Sequence, residues 1–180
     1  MVKAVFFDRD GVLNELVNHN GELTAPWSFD EFKLIPGAEQ AVEIVNDLGY
    51  YSFVVTNQPD IIDGVLTTRD LLKMMRTCVD IGIDDGLFAL ERGSAWYKPN
   101  NGMLETLIKM YKVDRSQSYI IGDRWKDIVP GHKSKLTTIF IGQEYICPDK
   151  YKHITPDYTV DNVLQACLLI EELENDKIIR

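Results

Sequence analysis

Asp8 and Asp10 stand two residues apart directly after the apolar run 2–7, and Asp123 and Asp127 stand four apart after a second apolar run, 119–121. Between the two pairs come Thr56-Asn57, at the end of the run 51–55, and Lys98 ahead of Pro99. Carboxylates gathered in one place repel each other, so such a cluster needs a counter-charge. A hard divalent cation bound through oxygen can provide it, together with a lysine. An acidic cluster, a lysine and a hydroxyl point to phosphate handled through magnesium.

These residues converge only if the elements before them lie side by side. The runs 2–7, 51–55, 86–90, 119–121 and 137–141 are short, apolar and rich in β-branched or aromatic residues, as buried strands are, and 158–160 can add an edge strand. Pro36-Gly37 opens a helix with Ala38, Ala41, Val42, Val45 and Leu48 on one side, closed by Gly49. Thr67 or Thr68 can cap a second helix through Asp80, with Leu71, Leu72, Met75, Cys78 and Val79 on one face. Residues 103–111 repeat the pattern, and Val163, Leu164, Cys167, Ile170 and Leu173 mark a last helix whose acidic stretch 171–176 reads as a solvated face. Strands alternating with helices predict an α/β fold: a Rossmann-like three-layer sandwich with a central parallel sheet covered on both faces. Ligands of such sheets bind beyond the carboxyl ends of the strands, where Asp8, Thr56, Lys98 and Asp123 all fall if the first strand is central.

The 180 residues suit one domain over 1–180, with loop insertions at about 15–34 and 91–97 and no room for a large cap. Nineteen Lys and Arg against 28 Asp and Glu leave a net charge of −9, which speaks against a nucleic-acid partner because duplex affinity needs a basic footprint. No apolar run approaches the roughly 18–20 residues of a membrane span, and no signal-peptide pattern precedes Asp8. A cytoplasmic monomer without membrane contact is expected. Cys78, Cys147 and Cys167 are isolated, so neither a disulfide framework nor a cysteine-rich zinc site is expected. His19, His132 and His153 lack metal-ligand spacing, and Trp27, Trp96 and Trp125 read as aromatics that pack loops.

The order and spacing of these residues resemble the haloacid dehalogenase (HAD) superfamily. Phe6-Phe7-Asp8-Arg9-Asp10-Gly11-Val12-Leu13-Asn14 is similar to its first motif, Val55-Thr56-Asn57-Gln58 to its second, Lys98-Pro99-Asn100-Asn101-Gly102-Met103 to its third, and Gly122-Asp123-Arg124-Trp125-Lys126-Asp127 to its fourth. The details are closest to the subfamily IIIA branch of histidinol-phosphate and D,D-heptose 1,7-bisphosphate phosphatases. The resemblance implies a magnesium-dependent phosphomonoester hydrolase acting on a sugar phosphate or similar small phosphorylated metabolite. It also implies Asp8 as the nucleophile that forms an aspartyl-phosphate, Asp10 as general acid and base, and Thr56 and Lys98 as further catalytic groups. Asn57, Gln58 and Arg124 would contact substrate. Magnesium would be held by Asp8, the backbone carbonyl of Asp10 and Asp123, with Asp127 behind it or acting through water.

The chain departs from the heptose branch where those enzymes carry cysteines and a histidine for zinc. Residues 90–97 read Leu-Glu-Arg-Gly-Ser-Ala-Trp-Tyr, so zinc is not expected, and Tyr97 replaces a usual arginine. Ile61-Ile62-Asp63-Gly64 likewise stands where Ala-Arg-Gly is usual. Two anion contacts are lost, which counts against a heptose bisphosphate substrate and leaves specificity to the loops 15–34 and 91–97. Competing readings are a nucleic-acid 3′-phosphatase, disfavoured by the acidic charge, and a phospho-receiver or binding module, which would lack an acid two residues after the phosphorylated aspartate.

Overall fold

A computed structural model describes residues 1–179, with side chains through Asp176. Its centre is a six-stranded sheet built from β1 (Ala4–Phe7), β4 (Tyr51–Asn57), β5 (Asp85–Ala89), β6 (Tyr119–Gly122), β7 (Thr137–Ile141) and β8 (Tyr158–Val160). All pairings in it are parallel, and the order is β5-β4-β1-β6-β7-β8. The first strand is therefore internal, flanked by β4 and β6. Chain order reverses across it, which puts the ligand-binding crevice of such a sheet at the end of β1.

Every residue of β1 is buried, and its side chains alternate between two cores. Val5 and Phe7 face α1 (Ala38–Asp47) and α5 (Val163–Ile179), packing with Val42, Val45, Val163 and Ile170. Ala4 and Phe6 face α3 (Gly102–Tyr111), packing with Met103, Leu104 and Leu107. The period-two alternation of a strand thus divides one apolar run between two helical layers. α2 (Thr68–Asp80) joins the first layer through Cys78, with the Thr67 hydroxyl capping its start by accepting from Asp70 N at 3.1 Å. The acidic stretch before the chain end is partly engaged, since Glu174 pairs with Lys3 at 2.8 Å.

Two further elements border the site, of which only the hairpin departs from the sequence reading. α4 (Trp125–Lys133) follows β6 although Pro130 and Gly131 lie inside it. The glycine is required by packing: a Cβ there would come within 2.3 Å of Ile120 on β6. The loop 15–34 contains an antiparallel hairpin, β2 (Val17–His19) and β3 (Glu22–Thr24), turned by Asn20-Gly21 with φ of 57° and 93°. Positive φ at both central residues is the two-residue hairpin turn for which Asn-Gly is the preferred pair.

Candidate active site

The carboxyl ends of β1, β4 and β6 supply the floor of one crevice. Asp8 extends the ladder past β1 by donating its N–H to Ile121 O at 2.9 Å, which fixes its side chain between β4 and β6. Its Oδ1 accepts from Arg9 N at 2.8 Å and lies 2.9 Å from Lys98 Nζ. The lysine also donates to Val55 O at 2.9 Å and to Asp127 Oδ1 at 2.5 Å, so all three ammonium protons are used at a residue that is 3% exposed. Asn57 sets the lysine's backbone: Lys98 N donates to Asn57 Oδ1 at 2.9 Å, and Asn57 Nδ2 donates to Lys98 O at 3.0 Å. Asn57, expected to meet phosphate through its backbone N–H, uses its side chain to position Lys98, and the residue lines the crevice.

Asp127 belongs to the first turn of α4. Its Oδ2 accepts from Arg124 N at 3.1 Å and its N–H donates to Arg124 O at 2.9 Å, so the carboxylate that holds Lys98 also caps the helix. Asp123 carries a buried Oδ1 with no hydrogen-bond partner. Gly11, at φ +85°, leaves its space: a Cβ there would fall 2.3 Å from Asp123 Oδ2. Carboxylate oxygens of Asp8, Asp123 and Asp127 lie within 4.8 Å of one another. Burial first, and then repulsion from Asp127, push Asp8 up to about 6 against the opposing pull of Lys98. Burial and the Asp8 charge push Asp123 up to about 8. Burial works against the charge of Lys98, but Asp127 and Asp8 outweigh it and hold the ammonium above its usual range. One lysine leaves this floor short of positive charge, and an all-oxygen donor set with an unpartnered buried oxygen fits a hard divalent cation.

Asp10 sits beside this cluster in a collar of donors. Arg9, fully buried, donates to Oδ1 from Nε at 3.1 Å and from Nη2 at 2.9 Å, and Nη2 lies 3.1 Å from Oδ2. Asn14 Nδ2 reaches Oδ1 at 3.1 Å and Gln58 Nε2 reaches Oδ2 at 2.6 Å. Gln58 also donates to Thr56 Oγ1 at 2.9 Å, and the Thr56 hydroxyl approaches Asp10 Oδ2 at 3.4 Å. Gln58 departs from its expected place on substrate: it is fully buried, outside the crevice lining, and turned to Asp10. Arg124 does line the crevice, half exposed, with Nε 3.8 Å from Asp123 Oδ2. The sequence reading gave no role to the buried Arg9, although its place between two aspartates was a visible signal.

Above the floor opens a cavity of about 330 Å³. One wall is the hairpin edge with Glu22, Leu23, Thr24 and Ala25; another is Pro59, Asp60 and Tyr97; Arg124 and Lys126 stand at the start of α4. The hairpin is held by His19, which stacks on Trp27 at 3.6 Å and contacts Thr24 Oγ1 at 2.5 Å and Glu31 Oε1 at 3.2 Å. Across the rim, Arg92 forms a forked ion pair with Asp63 at 2.5 and 2.8 Å, joining the loop 91–97 to the turn after β4.

A family model described as HAD-hydrolase-like matches residues 95–166. The D-glycero-beta-D-manno-heptose-1,7-bisphosphate 7-phosphatase of Pasteurella multocida is 30% identical over 192 residues, covering 97% of this chain and 100% of the relative. The enzyme of the same name from Haemophilus influenzae is 31% identical over 151 residues, 76% of this chain and 79% of the relative. Among solved structures, the D,D-heptose 1,7-bisphosphate phosphatase from B. bronchiseptica complexed with magnesium and phosphate aligns with a TM-score of 0.76 at 20% identity, over 95% of this chain and 99% of that one. The chain belongs to the HAD superfamily of hydrolases. Within it, the chain falls in the D,D-heptose bisphosphate phosphatase-like branch of subfamily IIIA, a branch of phosphatases.

Proposed function

We propose that this phosphatase hydrolyses a small phosphomonoester, a sugar phosphate or similar metabolite, with magnesium and through an aspartyl-phosphate on Asp8. The observation that carries the reading is the Lys98 ammonium bridging Asp8 and Asp127 beside the unpartnered oxygen of Asp123, at the carboxyl ends of β1 and β6. The magnesium would be held by Asp8, the Asp10 carbonyl and Asp123, with Asp127 behind them; when bound, it offsets the charge of a phosphate dianion beside an anionic nucleophile.

The chain's own residues do the rest. Oδ1 of Asp8 is occupied by Arg9 N and Lys98, which leaves Oδ2 to attack. Its lone pair forms the new P–O bond as the bond to the alcohol breaks, and Asp10 gives a proton to the leaving oxygen. Asp10 then takes a proton from water, whose oxygen attacks phosphorus and releases inorganic phosphate and the Asp8 carboxylate. Thr56 and the Asn57 backbone N–H hold phosphoryl oxygens, and Arg124 stands ready on the α4 side. Arg9, Asn14 and Gln58 fix the carboxylate of Asp10 without touching substrate.

An activated aryl phosphate tests the reading. Magnesium-dependent multiple turnovers are expected, falling about 10⁴-fold or more in Asp8→Asn and vanishing in chelator. Turnover undiminished by either change contradicts it, and a single stable phosphorylation would mark a receiver instead.

A further inference from the structure

Thr56 and Gln58 stand two apart at the end of β4, so their side chains leave the strand on the same side and both meet Asp10 beyond the end of β1. Gln58 stays tied to the sheet because its N–H donates to Ala89 O on β5 at 2.7 Å. Both residues are buried, but only Thr56 lines the crevice. Arg9 and Asn14 hold Asp10 without bonding Thr56, whereas Gln58 holds both. Its Nε2 carries two protons and has two acceptors, Asp10 Oδ2 at 2.6 Å and Thr56 Oγ1 at 2.9 Å. Its buried Oε1 has no partner among the described residues, so hydrogen bonding orients the amide through its nitrogen alone.

A threonine hydroxyl has one proton to give. With Gln58 donating to Oγ1, that proton turns away from the amide, and Asp10 Oδ2 at 3.4 Å is the one acceptor it has among the described residues. Such a separation is too long for a good O–H···O bond, so a phosphoryl oxygen entering the crevice is the better acceptor. The two oxygens of Asp10 are also unequal. Oδ1 receives Arg9 Nε, Arg9 Nη2 and Asn14 Nδ2, whereas Oδ2 receives Gln58 closely and Arg9 Nη2 and Thr56 at longer range. Oδ2 is therefore the oxygen on which a position opens when the Thr56 hydroxyl swings to phosphate.

We infer that Gln58 is a positioning residue that aims the Thr56 hydroxyl at the transferred phosphoryl group and holds Asp10 Oδ2 beside it, so that arrival of the phosphate frees that oxygen for the leaving group. The exchange moves one hydrogen bond, from Asp10 Oδ2 to a phosphoryl oxygen, and breaks no covalent bond. The proton on Oδ2 then passes to the ester oxygen as the P–O bond to the alcohol breaks. The inference rests on the phosphatase reading above and deepens it.

Gln58→Met nearly keeps the volume and removes the donor. The probes are 2,4-dinitrophenyl phosphate, whose leaving group departs without a proton, and phenyl phosphate, which needs one, with inorganic phosphate as competitive inhibitor and magnesium saturating. Expected in Gln58→Met is phosphate inhibition weaker by about threefold to tenfold, with kcat/KM for the dinitrophenyl ester falling by a similar factor. For phenyl phosphate kcat/KM falls by about a further tenfold or more, because the acid is misplaced. In a Thr56→Val background, Gln58→Met weakens phosphate inhibition no further, since the hydroxyl it aims is gone. Gln58→Asn, with its amide one methylene short, shows the same split at smaller size and replaces the methionine variant if melting temperature shows that one to be unfolded. Equal losses for the two esters, undiminished rates, or additive weakening of phosphate inhibition in the double variant overturns the inference. Absence of magnesium-dependent turnover of the dinitrophenyl ester by the unaltered protein defeats the phosphatase reading, and the inference with it.

Discussion

The floor of the crevice and its rim are built on opposite rules. On the floor, Lys98, Asp127, Arg9 and Gln58 are buried, and each is tied to Asp8 or Asp10 or to a residue that holds them. On the rim, the hairpin is turned by an exposed Asn-Gly and the loop 91–97 is pinned by an Arg92–Asp63 pair that stays in solvent. The floor holds its charged groups in contact because a buried charge left unpaired is costly. The rim is free to change composition because its charges are already hydrated.

The contrast is broken most severely by removing the lysine. Lys98→Met leaves Asp8 and Asp127 buried without their partner, and is expected to lower stability by about 3–5 kcal/mol in chemical denaturation while abolishing turnover. A fully stable, active variant would mean that the floor charges are not coupled. Next is the ion. Saturating magnesium is expected to raise the melting temperature by about 5–10 °C, and by nearly nothing in Asp123→Asn. An equal shift in both proteins would place the binding elsewhere.

The rim is expected to answer weakly. Arg92→Ala should move the melting temperature by no more than about a degree or two, read by calorimetry, because its partner Asp63 is solvated. A drop as large as that of Lys98→Met would erase the distinction. Smaller still is the pH effect of Glu105, whose carboxyl is lowered from its ordinary value of 4.5 chiefly by hydrogen bonds from Arg115, at 2.7 Å to each oxygen. A depressed folded value means the protonated form is favoured less in the native state than in the unfolded one. The stabilisation is therefore complete above about 4.5 and fades as pH falls through the lower folded value. The melting-temperature gap between the native chain and Glu105→Gln should narrow accordingly between neutral and strongly acid pH, and a gap that widened would contradict the sign.

The floor was the more legible half. Asp8 and Asp123 directly follow β1 and β6, Thr56 lies at the end of β4, Lys98 lies in the connection from β5 to α3 and Asp127 in the first turn of α4, so strand pattern and residue type locate most of them together. What pattern could not give was direction. Gln58 and Asn57 were expected at substrate, Asn57 through its backbone N–H, and their side-chain amides turn to Asp10 and Lys98. The place of Gly131 inside α4 is a packing matter that periodicity does not carry: it lets the helix approach Ile120. The hairpin had its signal in Asn20-Gly21, but its three-residue strands are too short for an alternation to show.

The central claim is that the phosphoryl group passes through Asp8 before it reaches water. Hydrolysis of a phosphomonoester chiral at phosphorus by isotopic oxygen labelling, in labelled water, counts the displacements directly. Two in-line transfers predict that the released phosphate retains configuration. Inversion would mean a single attack by water, and would leave Asp8 no covalent role.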